Sequence, residues 1–150
     1  MGREKKLRRK EFQATPKTIK EAFKLNEKLF RWSFEKCHWE HKGWQDFKEL
    51  RKFVEQVITK LQELEKMSWQ EILDASGGKS AGHGNNNHFI GGQKLPAEER
   101  RIFIERGYMR DFEKVFSLRL SGKERLIGVV DLNVFKILWY DKEHRFFKPP

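Results

Sequence analysis

Apolar positions along the chain follow two periods, and the switches between them mark out the elements. From Gln45 to Lys66, Phe47, Leu50, Val54, Val57, Ile58, Leu61 and Leu64 recur at three- and four-residue spacing, which predicts an amphipathic helix with one face in the core. Upstream, 17–29 carries Ile19 and Phe23 on one side and lysines on the other, behind a Thr15-Pro16 start, and reads as a helix. The period then drops to two, where Phe30, Trp32 and Phe34 alternate with Arg31, Ser33 and Glu35, and a half-buried first strand is expected. Ser68-Trp69-Gln70-Glu71 has the form of a capping box opening a short helix to about Asp74. Pro96-Ala97-Glu98-Glu99 opens another, which Gly107 should stop.

Three strand-like runs close the chain: Val115 to Leu120, Arg125 to Val130, and Val134 to Tyr140. Short polar links at Ser121-Gly122-Lys123-Glu124 and Asp131-Leu132-Asn133 make them a three-stranded antiparallel meander. Between 75 and 94 no apolar period survives, and glycines punctuate Asn85-Asn86-Asn87, so a long loop is expected. These elements predict an α+β fold: an antiparallel sheet of about four strands packed by two main helices, chiefly 45–66. The expected core is Phe47, Leu50, Val54, Val57, Leu61, Leu118, Leu126, Val129, Phe135, Ile137 and Trp139. The length suits one domain, 12–150, behind a basic arm at 1–11.

Charge adds a direction to this frame. Lysines and arginines number 32 against 22 acidic residues, a formal net charge of +10. The arm concentrates it, with Arg3, Lys5, Lys6, Arg8, Arg9 and Lys10 set against Glu4 alone, and should be mobile and solvated. A basic, aromatic-rich chain suits a polyanion such as RNA, because cations neutralise phosphates and flat rings stack on unpaired bases. Cys37 is the only cysteine, which rules out an intramolecular disulfide and favours a reducing compartment. No apolar run is long enough to span a bilayer, and no apolar stretch follows the basic arm as in a signal peptide. A cytoplasmic protein without a membrane partner is expected.

Candidate chemistry gathers toward the C-terminal meander. Arg119, Lys123, Arg125 and His144 lie on or near it, with Asp141 three residues before the histidine. RNA cleavage without a metal needs a base for the 2′-hydroxyl, fixed positive charge for the phosphate and an acid for the 5′-oxygen. Histidine supplies either proton-transfer role near neutral pH, and arginine the charge. The same residues also suit a solvated sheet face. Asp141-Lys142-Glu143-His144 reads either as a carboxylate orienting an imidazole or as a polar turn. In the glycine-rich segment, His88-Phe89-Ile90 ranks above His83, because the two apolar residues would anchor His88.

Cys37 to Trp44 holds two histidines, a cysteine and a glutamate within five positions. Lacking a second ligand cluster nearby, it reads as a loop at a strand end. No metal and no cofactor is expected: Gly77-Gly78-Lys79-Ser80 lacks the first glycine and the preceding strand of a P-loop, and no Gly-x-Ser-x-Gly or His-Glu-x-x-His is present.

The stretch from His88 to His144, with its His-Phe-Ile segment, Leu120 to Arg125 and Trp139 to His144, is similar to small uncharacterised bacterial and phage-associated proteins. The meander resembles, more distantly, the RelE/ParE toxin superfamily. That resemblance implies helices preceding an antiparallel sheet and, in the ribonuclease members, basic residues and often a histidine on that sheet acting on messenger RNA, commonly in the ribosome. Arg119, Arg125 and His144 are the positions it carries across, and it implies an acidic antitoxin partner. Members of the ParE branch inhibit gyrase without cleaving RNA. A non-catalytic nucleic-acid-binding module and a protein-interaction or inhibitor domain using helix 45–66 are the alternatives.

Overall fold

The computed structural model describes residues 23–75 and 87–147; the basic arm, residues 17–22 of the first expected helix and His83 lie outside the described residues. The strands are β1 (Arg31–Ser33), β2 (His88–Gly91), β3 (Lys114–Arg119), β4 (Arg125–Asp131) and β5 (Val134–Asp141), hydrogen-bonded in the order β1-β5-β4-β3-β2. Helix α1 begins as an α turn at Leu50–Phe53, widens to a π-helical stretch at Val54–Ile58 and ends as Thr59–Leu64. It is followed by α2 (Trp69–Asp74), α3 (Ala97–Glu105) and α4 (Tyr108–Asp111).

The meander β3-β4-β5 forms as the sequence predicts, and α2 opens on the Ser68 capping box. Helix α3 ends before Gly107, whose φ of 79° only glycine adopts without strain. The sheet, however, has five strands and is mixed, because β1 pairs with β5 in parallel. Asn133 makes that edge: its backbone carbonyl accepts from the backbone N–H of Arg31 and the indole N–H of Trp69, while its side-chain amide donates to Leu29 O. The fifth strand, β2, comes from the segment expected to be loop. Its pairing with β3 and the buried Asn87 explain the order there, since the Asn87 amide donates to Ile72 O and accepts from Arg119 N, both at 2.9 Å.

Both faces of the sheet are covered. Phe116, Leu118, Leu126, Phe135, Ile137 and Tyr140 pack against Val57, Leu61 and Leu64 of α1 and Trp69 and Ile72 of α2. On the other face Val115, Ile127, Val129, Leu138 and Trp139 meet Phe103 of α3 and Tyr108 of α4. Double coverage is why β4 and β5 read as nearly continuous apolar runs.

Two helix expectations are corrected. The long helix starts at Leu50, because 42–46 is a 3-10 turn and Phe47 and Glu49 are extended; Leu50 and Val54 are 78% and 41% exposed, and Phe47 is only half-buried. The π turn, which Thr59 closes by donating to Val54 O, shifts the helical phase, so Val57, Leu61 and Leu64 reach the core and the two upstream positions do not. The first expected helix does not run to Leu29, because Lys24 has a left-handed backbone (φ 49°) and a 3-10 turn, Leu25–Glu27, follows.

A bulge interrupts β5. Ile127 pairs with Trp139 and Gly128 with Ile137, which leaves Leu138 as the extra residue. At Gly128 the strands approach so closely that a Cβ would overlap the Lys136 carbonyl oxygen. Gly128→Ala should therefore destabilise the fold by about 1–3 kcal/mol, as overpacking does. Urea titration should show a lower midpoint at unchanged slope.

Candidate functional site

The strand registers bring most of the chemical candidates to one face. His88 pairs with Ser117, Arg119 with Arg125, and Arg125 with Asp141. Because side chains alternate along a strand, all five project on the face covered by α3 and α4. Lys123 is exposed in the turn that joins β3 to β4.

Directly opposed arginines repel each other. Arg125 is nonetheless buried, 7% exposed, and burial, then Arg119, lower its pKa while Asp141 raises it. Its Nη1 donates to Gly122 O (2.8 Å) and Glu124 O (3.1 Å), which fastens the β3–β4 turn. Its Nε has no hydrogen-bond partner, nor has the fully buried Ser117 hydroxyl, and no described carboxylate comes within 4.0 Å of the guanidinium. A buried guanidinium left in this state is a ready acceptor of an anion.

Asp141 does not take that role by direct contact. Its two oxygens accept the backbone N–H groups of Arg145 and Phe146, each at 2.9 Å, and so wind the chain into a tight turn. His144 sits in that turn with φ 56°, a conformation uncommon outside glycine and asparagine. The polar-turn reading of 141–144 is thus the one the hydrogen bonds support. Burial and Arg125 lower the His144 pKa from 6.5 and Asp141 partly restores it, so the three side chains share one electrostatic neighbourhood.

The register assembles Arg119, Arg125 and Asp141, and the turn after Asp141 puts His144 within the electrostatic reach of Arg125. His88 stands apart, in β2, with β3 and β4 between it and β5. Three inter-strand gaps separate it from Asp141, roughly 14 Å between backbones, so the histidines flank the arginine pair.

A second cluster was missed at the sequence level. His41 and Glu99 meet at 3.2 Å, both side chains nearly inaccessible, at 5% and 6%. The Gly43 N–H donates to His41 Nδ1, which assigns the ring proton to Nε2 and makes Glu99 Oε2 the acceptor. The pair lies in the wall of a cleft of about 570 Å³ also lined by Lys42, Tyr140, Lys142 and Phe146. His38 accepts from the Trp139 indole N–H, and burial, Arg106 and His41 lower its pKa.

Spacing carried a signal for Glu99: it is four residues after Leu95 and four before Phe103, on the buried stripe of α3, although it reads at first as a helix-dipole complement. Burial pushes the Cys37 thiol up to about 12, which makes it a poor nucleophile. Among the described residues no three His, Cys, Asp or Glu side chains converge as metal ligands, and no helix is long and apolar enough to cross a membrane.

Comparison with models of known protein families, with curated proteins and with solved structures returns no match to this chain.

Because the native pKa of His144 lies below its unfolded value, the unfolded chain takes up the proton first as the pH falls below 6.5, and stability declines toward the native pKa. His38 acts in the same direction. Thermal unfolding should give a lower Tm at pH 5.5 than at pH 7.5, with a smaller difference in His144→Asn. In NMR titrations, Arg125→Gln should raise the His144 midpoint and Asp141→Asn should lower it.

Proposed function

We propose that this chain is a toxin-like endoribonuclease acting on messenger RNA, with its site at the Arg119–Arg125–His144 end of the sheet. The observation that carries the reading is the Arg125 guanidinium, buried beside a second arginine with no carboxylate of the described residues in contact and with an unpartnered Nε. A phosphodiester supplies the missing anion, and paired arginines hold its non-bridging oxygens with fixed, directional charge.

His144, whose lowered pKa keeps it unprotonated at neutral pH, takes the proton of the ribose 2′-hydroxyl. The 2′-oxygen bonds to phosphorus, the arginines offset the charge gathering on the phosphoryl oxygens, and the bond to the 5′-oxygen breaks. The departing 5′-oxygen takes its proton from water, because His88, three strand gaps from Asp141, stands too far from His144 to serve the same phosphodiester. The products are a 2′,3′-cyclic phosphate and a 5′-hydroxyl end. Fixed charge, one imidazole and water account for each step.

The resemblance to the RelE/ParE superfamily rests on the meander and these same residues, and on it rest ribosome-bound messenger RNA as substrate and an acidic antitoxin as partner. The basic arm, Arg3 to Lys10, and Lys123 raise affinity through phosphate contacts that carry no sequence information. The second reading, an RNA-binding module that cleaves nothing, is favoured by the separation of His88 from His144.

Expression from a tightly repressed promoter should arrest growth and create RNA ends bearing cyclic phosphate, and His144→Ala and Arg119→Ala, verified as folded by circular dichroism, should abolish both. Normal growth with intact RNA would exclude the ribonuclease. Under the binding reading, Arg119→Ala would reduce the salt dependence of RNA affinity by about one phosphate contact.

A further inference from the structure

The cleft beside the His41–Glu99 pair shares the Asp141–Phe146 turn with the proposed cleavage site but uses different side chains. Its chemistry is specific. Glu99 is 4% exposed, its only described hydrogen-bond partner is His41, and that partner is the neutral Nε2–H tautomer. Glu99 Oε2 is engaged, while Oε1 has no hydrogen-bond partner among the described residues. Among the described residues no lysine or arginine comes within 4.0 Å of this carboxylate. A buried acceptor held without a cation, in the wall of an open cleft, is set to receive N–H donors from a ligand.

The surrounding walls narrow the choice. Phe146 supplies an aromatic ring, and the exposed Lys42, Lys142 and Arg145 line the cleft together with the exposed Asp46 and Glu143, while Asp141 is occupied by the backbone N–H groups of Arg145 and Phe146. Donor groups inside, a flat partner for the ring and an anion outside describe a nucleotide. Among the bases, guanine alone presents two adjacent donors, N1–H and N2–H, to a carboxylate. Adenine and cytosine set one amino group beside a ring-nitrogen acceptor, which a carboxylate repels, and uracil flanks N3–H with two carbonyls.

The geometry points to a guanine-binding subsite, in which Glu99 accepts from the Watson–Crick edge, Phe146 stacks on the ring and the three cations meet the adjoining phosphates. His41 is a positioning residue: by donating Nε2–H to one lone pair of Oε2 it fixes the carboxylate and leaves the second lone pair of Oε2, with Oε1, for the two donors of the base. As a source of sequence preference in RNA cleavage this subsite rests on the ribonuclease reading; as a nucleotide site it does not.

The test is the binding of guanosine, inosine and uridine 5′-monophosphates to the full chain, by isothermal titration. Guanosine monophosphate should bind about tenfold or more tightly than uridine monophosphate, the discrimination expected of a paired base contact. Inosine, which lacks the N2 amino group, should fall between them. Glu99→Gln should reduce the preference to within about threefold, since an amide replaces one acceptor with a donor.

Equal affinities in the native chain, or a preference that survives Glu99→Gln, would overturn the assignment. Should Glu99→Gln not fold, chemical-shift mapping on the native protein decides the matter: shifts from guanosine monophosphate centred on Gly43, Glu99 and Phe146 support the site, and shifts elsewhere sink it. Arg119→Ala separates the two proposals, because it should abolish cleavage yet keep the guanine preference. A native chain that prefers guanine but cuts no RNA would retain this subsite and remove the ribonuclease.

Discussion

One extra residue in β5 organises both candidate sites. At the bulge, Leu138 has no partner across the strand pair, and its carbonyl turns to the Trp44 indole N–H at 3.1 Å and the His38 backbone N–H at 3.2 Å. These bonds hold the 37–46 segment along the part of β5 that β1 is too short to cover. Gly43 passes so close to the Tyr140 carbonyl that no side chain fits there. His41 is thereby pressed between Trp139, Phe146 and Glu99.

The bulge also changes the phase of everything after it. In an unbroken strand Ile137, Trp139 and Asp141 would share a face and Tyr140 would take the other. Instead Ile137 and Tyr140 lie against α1 and α2, while Trp139 and Asp141 move to the side of α3, α4 and the arginine pair. A one-residue slip moves the whole side-chain pattern to the opposite face. Here it brings Asp141 beside Arg125, and the turn that Asp141 caps then carries His144 into the same field.

The α3–α4 side of the sheet thus collects polar groups. Ser117 and Arg125 leave buried atoms unpaired, and Glu99 has a neutral partner in place of a cation. Each loses favourable hydration without a full replacement inside the protein, a balance that ligand contacts can restore. These groups lie on the sheet face opposite the dense aromatic packing of Phe30, Trp69, Phe116 and Phe135.

The amino-acid sequence by itself determined the local elements whose signals are local. The Ser68 box, the Pro96 and Gly107 boundaries and the three β runs at the C-terminus all follow from capping, backbone preference and apolar period. It also singled out Arg119, Arg125 and His144 as candidates by residue type. Tertiary structure decided which of these meet. The parallel partner of β1, the recruitment of His88 into an edge strand, the exposure of Leu50 and Val54 and the face taken by Trp139 depend on pairings between residues distant in sequence. So does the His41–Glu99 pair, whose members are 58 residues apart. Periodicity reports what a residue needs on its own element; register, bulge and burial report what stands opposite it, and only the folded chain contains that information.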